Sequence, residues 1–443
     1  MAGIRAKALS SLHRCGTAPD SNRTSPVPRK CRQDTRTAQR PLVGILHEVT
    51  TISLSARAGL LKPSPTLAIT SKAKAMMAEG IDVVSFGAGE PDFNTPEPIC
   101  AAAIDAINKG FTKYTPSAGI PELRKSISEK LARENGLKYT PDQVIVSCGA
   151  KHSVYNAMQV LVDPGDEVLL VAPYWMTYAD QIQLAGGIPV IVRASSESGF
   201  IPTYEDLRAA ITPRTKAIVV NSPSNPTGAM FPRETLKEIA ALATRYGFWV
   251  ISDEIYEHLV YDGGKHQSIG SLSSEMLERT ITINGCSKSY AMTGWRLGYA
   301  AAPLPVTKAM SNFQDQVTSN PTSFVQKGAV AALALPPTSI EAMRAEFEAR
   351  RDLIYDLLTA IPGVKMMKPK GAFYALPDIS AYLGKDIKSD TDLATYLLDE
   401  ARVAVVPGSV FEGSGHIRLS YAISRGDIEK GVARIAEALK RIA

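Results

Sequence analysis

The chain has 443 residues, 45% hydrophobic and 21% charged; that is enough apolar material for one large or two ordinary domains and excludes a wholly disordered chain. No run of about 18 uncharged apolar residues appears, so no membrane-spanning helix is expected. The net charge of +5 belongs to the first fifty residues, which carry nine Lys/Arg against three Asp/Glu. The remainder is close to neutral, so charge makes no case for nucleic-acid binding.

Residues 1–51 lack a sustained hydrophobic period and are rich in Arg, Ser, Thr and Pro. Three readings fit that composition: a disordered tail, an organellar transit peptide, or sequence added by an upstream start codon. A secretory signal is not expected, because its apolar centre is missing. The five cysteines (Cys15, Cys31, Cys100, Cys148, Cys286) form no Cys-x-x-Cys pair and no metal-ligand spacing. They read as reduced thiols of a cytoplasmic protein, or of an organellar one if the tail is a transit peptide. The six histidines show no ligand spacing either, so no metal is expected, and His152 and His258 read as incidental.

From about Ile52 the pattern becomes regular. In PELRKSISEKLARENG, Pro121 stands at a first helical position, Leu123, Ile127 and Leu131 recur every four residues, and Gly136 follows as a stop. Six β-rich runs then alternate with helical stretches: QVIVSCG, EVLLVAPYW, IPVIVRA, KAIVVNSP, FWVISDEIY and RTITINGCS. Near-continuous apolar strands alternating with helices predict an α/β fold with a mostly parallel sheet covered on both faces. Next, EAMRAEFEARRDLIYDLLTAIPG sets Met343, Phe347, Ile354, Leu358 and Ile361 on one helical stripe. GAFYALPD and HIRLSYA read as strands of a smaller mixed domain. The expected division is a tail over 1–51, an N-terminal part of the small domain over 52–96, a large domain over 97–335, and a linking helix with the rest of the small domain over 336–443.

Ligands of open α/β sheets collect at the carboxyl ends of the strands. Four runs end there in distinct polar residues. VIVS leads into Cys148, Gly149, Ala150 and Lys151, and KAIVV into NSPSNPTG with Asn225. FWVIS leads into Asp253 and Tyr256, and TITIN into Gly285, Cys286, Ser287 and Lys288. A lysine amine forms an imine with an aldehyde best where its charge is poorly solvated. A carboxylate beside a ring nitrogen keeps that nitrogen protonated, and a phenol and an amide hold a ring oxygen. An arginine and helix-start N–H groups hold a phosphate. Together these are the groups that pyridoxal 5'-phosphate requires.

Each residue also has a plainer reading by itself. Lys288 and Lys151 read as solvated lysines, Asp253 as a helix N-cap, and NPTG as an ordinary turn. Tyr114 and Trp175 read as core aromatics, and Arg418 as half of a structural salt bridge. What weighs against these is the context of Lys288: a strand end, with Arg296 eight residues on.

The ordered set FGAGEPDFNTPEP, KYTPSAGIPELR, NSPSNPTG, SDEIYEHLVY, SKSYAMTGWRLGY and IRLSYA resembles the class I pyridoxal-phosphate-dependent aminotransferases. It is most similar to the bacterial-type aspartate aminotransferases, a branch that includes aspartate/prephenate aminotransferases, and the likeness runs from about Ser53 to the C-terminus. The resemblance implies fold type I of the pyridoxal-phosphate transferases: a mostly parallel seven-stranded sheet in a large domain plus a smaller α+β domain. It implies Lys288 as the Schiff-base lysine and acid/base, Asp253 against the pyridine nitrogen, and Tyr256 and Asn225 on the ring's 3-oxygen. It implies Trp175 stacked on the ring, and Arg296, Ser287 and the backbone of Ala150 and Lys151 on the phosphate. Tyr114 would reach the phosphate of a second subunit, making a homodimer with active sites at the interface. Arg418 would grip the substrate α-carboxylate with the backbone of Gly89 and contact from Asn225 and Trp175. Lys151 would meet the distal carboxylate, aided by Ser64 and Thr66 from a mobile N-terminal segment. Many relatives carry a serine three residues before the lysine; here it is Gly285, so a modest loss of phosphate grip is expected.

The expected activity is transfer of the amino group of L-aspartate to 2-oxoglutarate, with prephenate a further candidate. The partners are small amino acids and 2-oxo acids, not nucleic acid or membrane. The alternatives are another pyridoxal-phosphate enzyme (an aromatic aminotransferase, a β-lyase or a decarboxylase) and, from a different class, a regulator's binding module. A nicotinamide oxidoreductase is disfavoured because no Gly-x-Gly-x-x-Gly turn follows a strand.

Overall fold

The computed structural model describes residues 53–61 and 65–442, leaving out the side chains of 65–67. Ser64 therefore lies outside the described residues. Thr66 falls within the helix Pro65–Ala78, its side chain outside the description.

In chain order the strands are β1 (Val84–Ser85), β2 (Val144–Ser147), β3 (Glu167–Ala172), β4 (Ile188–Arg193), β5 (Thr215–Asn221) and β6 (Trp249–Asp253). They continue with β7 (Thr280–Gly285), β8 (Gly298–Ala301), β9 (Tyr374–Ala375), β10 (Val403–Ala404), β11 (Val406–Pro407) and β12 (Ile417–Ser420). Seven form one sheet in the order β2-β8-β7-β6-β5-β3-β4. All neighbours in it are parallel except β8, which runs antiparallel to both β2 and β7. The six strands expected from apolar runs are all present. The seventh, Gly-Tyr-Ala-Ala, has no β-branched residue to advertise it and is a strand because β2 and β7 flank it.

β2, β3, β7 and β8 are buried along their whole length because helices pack on both sheet faces, while the edge strand β4 is largely unburied. One layer packs Val154, Met158 and Ile182 against Ile145, Leu170 and Ile281; the opposite one packs Leu236, Ile239 and Leu242 against Ile218 and Val250. The helix Pro121–Lys130 starts at Pro121 and is continued by one π-turn to Asn135, where Gly136, at φ 68°, ends it.

The helix Thr338–Thr359 buries Met343, Phe347, Ile354 and Leu358 on one stripe as the spacing predicts, while Ile361 is buried just past its end. This stripe belongs to a separate apolar cluster with Phe373, Leu419 and Tyr421. There β9, β12 and β11 form a small antiparallel sheet, and β1 pairs with β10. The final helix, Arg425–Ile442, covers that cluster with Ile428, Val432, Ile435 and Leu439. Among the described residues no helix is long and apolar enough to cross a membrane.

Candidate active site

The carboxyl ends of β2, β5, β6 and β7 open on a cavity of about 720 Å³, whose other wall is built from Ser85 at the end of β1, the Gly87–Glu90 loop, Tyr374 and Arg418. Thr70, Ala73, Lys74 and Met77, at positions i, i+3, i+4 and i+7 of the helix Pro65–Ala78, close one side.

Asp253 is the last residue of β6 and is 3% exposed. Its Oδ2 accepts from the Tyr178 hydroxyl at 2.6 Å and its Oδ1 from the Ile255 N–H at 3.2 Å. Its backbone oxygen accepts from Asn221 Nδ2 at 3.0 Å. Burial pushes its carboxyl up to about 6, against the opposing hydrogen bonds from Tyr178 and Ile255. Both bonds come from neutral donors, so a buried carboxylate stands at the cavity with no ion-pair partner among the described residues.

Lys288 follows the end of β7 by three residues and donates from Nζ to the Gly89 carbonyl. Burial brings its ammonium down to about 8; Glu90 opposes this, and Arg296 and Arg418 add to it. The stretch from Lys288 to Arg296 is turns rather than helix, and Arg296 itself is left-handed at φ 52°. The Arg296 guanidinium donates to the Thr293 carbonyl at 2.9 Å and lies over the start of the helix Ala150–Leu161. Gly149 permits that approach: a Cβ there would stand 2.7 Å from Arg296 Nη2. Gly298 permits another, since its Cβ would meet the Ala150 nitrogen at 2.1 Å. Ser287, Ala150, Lys151 and the guanidinium of Arg296 thus border one end of the cavity, beside first-turn N–H groups that no helix carbonyl can satisfy.

Arg418, on β12 and 5% exposed, donates to Asn225 Oδ1 and to the Gly87 carbonyl, both at 3.1 Å. Its Nε has no partner among the described residues, and its guanidinium lies against the rings of Tyr374 and Phe411. Asn225 is itself oriented by its N–H, which donates to Asn221 Oδ1 at 2.9 Å. The Tyr256 hydroxyl is 2.9 Å from that of Tyr374, and burial pushes its phenol well above the usual range. Lys151 Nζ lies 4.8 Å from the centroid of the Trp175 ring; burial, then the charge of Arg296, lowers its ammonium.

The cavity therefore gathers Gly89, Ala150, Lys151, Trp175, Asn225, Asp253, Tyr256, Ser287, Lys288, Arg296 and Arg418, which the sequence singled out. In the present geometry the Gly89 carbonyl meets Lys288 rather than Arg418, whose backbone partner is Gly87. Tyr114 stands elsewhere, 90% exposed. Gly285 does not line the cavity; it pairs with Gly298, and a Cβ there would come within 2.9 Å of the Gly298 Cα. The sequence reading missed Tyr178, Tyr374 and Glu90. Tyr178 had a signal, lying three residues after Trp175 at the start of a helix. Tyr374 had none, since only folding brings β9 against Tyr256.

The donor set fits pyridoxal phosphate: an unpaired buried carboxylate for a ring N–H, a lysine amine of lowered basicity, and an anion cradle at a helix start. The chain matches the family Aminotransferase class I and II over residues 81–435. It belongs to that family. It is 50% identical over 388 residues to an aspartate aminotransferase of Bacillus sp. strain YM-2, covering 87% of this chain and 99% of the relative. To the aspartate/prephenate aminotransferase of Thermus thermophilus it is 46% identical over 391 residues, 88% of this chain and 99% of that one. The solved structure of the Thermus thermophilus aspartate aminotransferase with maleate superposes at a TM-score of 0.84, covering 87% of this chain and all of that one, at 46% identity. That of the Rhizobium meliloti aspartate aminotransferase superposes at 0.86, covering 88% and 100%, at 44% identity. The protein is accordingly a pyridoxal-phosphate-dependent transaminase of fold type I, exchanging an amino group between amino acids and 2-oxo acids.

Proposed function

We propose that this aminotransferase moves the amino group of L-aspartate to 2-oxoglutarate in a ping-pong cycle, and that prephenate is a further oxo acid for the same site. The observation that carries this reading is the convergence, in one cavity, of an uncompensated buried Asp253, a Lys288 amine brought to about 8, and an Arg418 with an unused Nε. The names of the Bacillus and Thermus relatives supply the substrate.

Bound pyridoxal phosphate supplies an aldehyde for amines and a ring that draws electron density from the substrate's α-carbon. The chain's residues do the rest. Asp253 holds the proton on the ring nitrogen, and Tyr178 holds Asp253. Tyr256 and Asn225 would hold the ring's 3-oxygen, and Trp175 would pack against the ring. Arg296, Ser287 and the N–H groups of Ala150 and Lys151 bind the phosphate. Arg418, fixed by Asn225, forks the α-carboxylate and so orients the α-hydrogen. Lys288, brought down to about 8 and so mostly neutral above that pH, would take that proton and serve as the acid that gives it back. Lys151 meets the distal carboxylate of either dicarboxylic substrate, with Ser64 and Thr66 contributing hydroxyls from the N-terminal segment.

The same reading makes the protein a homodimer in which Tyr114 of one subunit reaches the phosphate of the other, and places it in the cytoplasm. It divides the chain into a large domain over 97–335 and a small one from 52–96 and 336–443, after a tail over 1–51. The test is steady-state turnover with L-aspartate and 2-oxoglutarate, followed with glutamate and prephenate as the second pair. Oxaloacetate and glutamate are the expected products; release of ammonia or carbon dioxide instead would make the enzyme a lyase or decarboxylase.

A further inference from the structure

Outside the cavity lining lies a second buried cluster that the proposed chemistry leaves unused. Lys130 is 1% exposed; its ammonium pairs with Glu257 and donates to Asn135 Oδ1 at 2.8 Å. The Asn135 amide donates to Glu257 Oε2 at 2.6 Å and lies 3.2 Å from Glu254 Oε2. Glu254 further accepts from Ser252 and Ser268, at 2.9 and 2.5 Å, and sits 3.0 Å from His266 Nε2. Glu257 also accepts from Asn284 Nδ2 at 2.7 Å. A branch runs from Lys130 to Glu134 at 3.6 Å, from Glu134 to His258 Nε2 at 3.0 Å, and from His258 Nδ1 to Ser289 Oγ at 2.9 Å.

The attachment points follow a rule. Glu254 follows Asp253, Glu257 follows Tyr256, and Ser289 follows Lys288. Asn284 lies on β7, the strand that delivers Lys288. In each case the site residue faces the cavity while its chain neighbour is tied to one shared network. Its carboxylates, Glu134, Glu254 and Glu257, lie beside Lys130, His258 and His266. Burial works against a charged His266, but Glu254 beside it outweighs burial and raises it. Burial likewise opposes ionisation of Glu257, yet the charges of Lys130, His258 and His266 hold it well below the usual carboxylate range. His258, which the sequence left incidental, is therefore a member of this network.

We infer that this network is a positioning device: Lys130, Asn135, Glu257 and His258 fix the backbone from which Asp253, Tyr256 and Lys288 project, and so set the attitude and electronic state of the bound cofactor. The inference rests on the roles proposed for those three residues. A buried charged cluster that merely stabilised the fold would act on stability alone, so the test separates the two effects.

Holoenzymes of Asn135→Ala, Glu257→Gln and Ser289→Ala are compared with Arg351→Lys. Arg351 is a fully buried ion-pair partner of Asp262 that does not line the cavity. Three readouts are taken beside Tm: the rate of cofactor release on dilution, the visible circular dichroism of the bound cofactor, and the pH midpoint of its visible absorption band. The first two variants are expected to release cofactor about tenfold faster and to move both spectroscopic signals, at a Tm loss for which Arg351→Lys moves none of them. Ser289→Ala, the mildest change, is expected to shift the midpoint in a folded enzyme, and Ser289→Thr, which keeps the hydroxyl, to restore it. If the network variants move these readouts no more than Arg351→Lys does at equal Tm, the inference is wrong. Borohydride reduction of the wild-type holoenzyme tests the underlying roles separately: an adduct on a lysine other than Lys288 would overturn the site reading itself.

Discussion

At the scale of single residues, burial moves Lys288 down to about 8 and Asp253 up to about 6. Capture of pyridoxal phosphate by the cofactor-stripped protein needs a neutral amine, so its rate is expected to climb with pH to about 8 and then level. Borohydride-trapped adduct at Lys288 measures this; a rate still rising toward pH 10 would show an unperturbed lysine. For Asp253 the folded state binds a proton more tightly than the unfolded chain. Its contribution to stability is therefore intact below about pH 4 and lost as pH rises through about 6, by roughly 3 kcal/mol. Asp253→Asn is thus expected to stabilise the cofactor-free protein at pH 7 while lowering turnover by about 10²–10³-fold, through loss of the charge proposed to hold the ring proton. Calorimetry and steady-state rates on one preparation check both halves. Lys151→Ala is expected to raise KM for aspartate and 2-oxoglutarate about tenfold, the cost of one charge-assisted bond. Equal damage toward an uncharged amino acid would remove Lys151 from the distal-carboxylate role.

Where elements meet, the site depends on how closely β7, β8 and the helix Ala150–Leu161 approach one another. Gly285 and Gly298 face each other across β7 and β8, and Gly298 lies directly against the first residue of that helix. Gly298→Ala must therefore push the helix start away from the sheet. We expect a loss of about 1–3 kcal/mol in thermal unfolding together with weaker cofactor binding in equilibrium dialysis. Unchanged affinity would mean that the helix start is not part of the phosphate cradle. The same packing recasts the missing serine at 285. A side chain there would wedge two strands apart, so the absent hydroxyl goes with a tight β7–β8 junction.

For the whole molecule, the cavity of one chain draws its walls from segments as distant as Thr70 and Arg418, but Tyr114 lies outside it. Tyr114, 90% exposed in one chain, is the side chain that the proposed homodimer would bring to a second copy's cavity. Sedimentation should give a dimer. Tyr114→Phe should raise the Kd for pyridoxal phosphate severalfold through one lost hydrogen bond, leaving the dimer intact. A monomer that binds cofactor with full affinity would sink the shared-site arrangement.

What the sequence determined by itself is the chemistry and the class of fold. Apolar β-branched runs mark parallel strands because both sheet faces are buried, and polar residues at their ends stand out against that background. Lys288, Asp253 and Asn225 stood out for this reason, and folding brings all three to one cavity. Tertiary structure alone decided what depends on contacts between distant segments. It made a strand of Gly298–Ala301, brought Tyr374 onto Tyr256, and joined Lys130 and Asn135 to Glu254 and Glu257. Buried charges obey no spacing rule along the chain. They are tolerated only where folding delivers their partners, and that delivery is invisible until the chain has closed on itself.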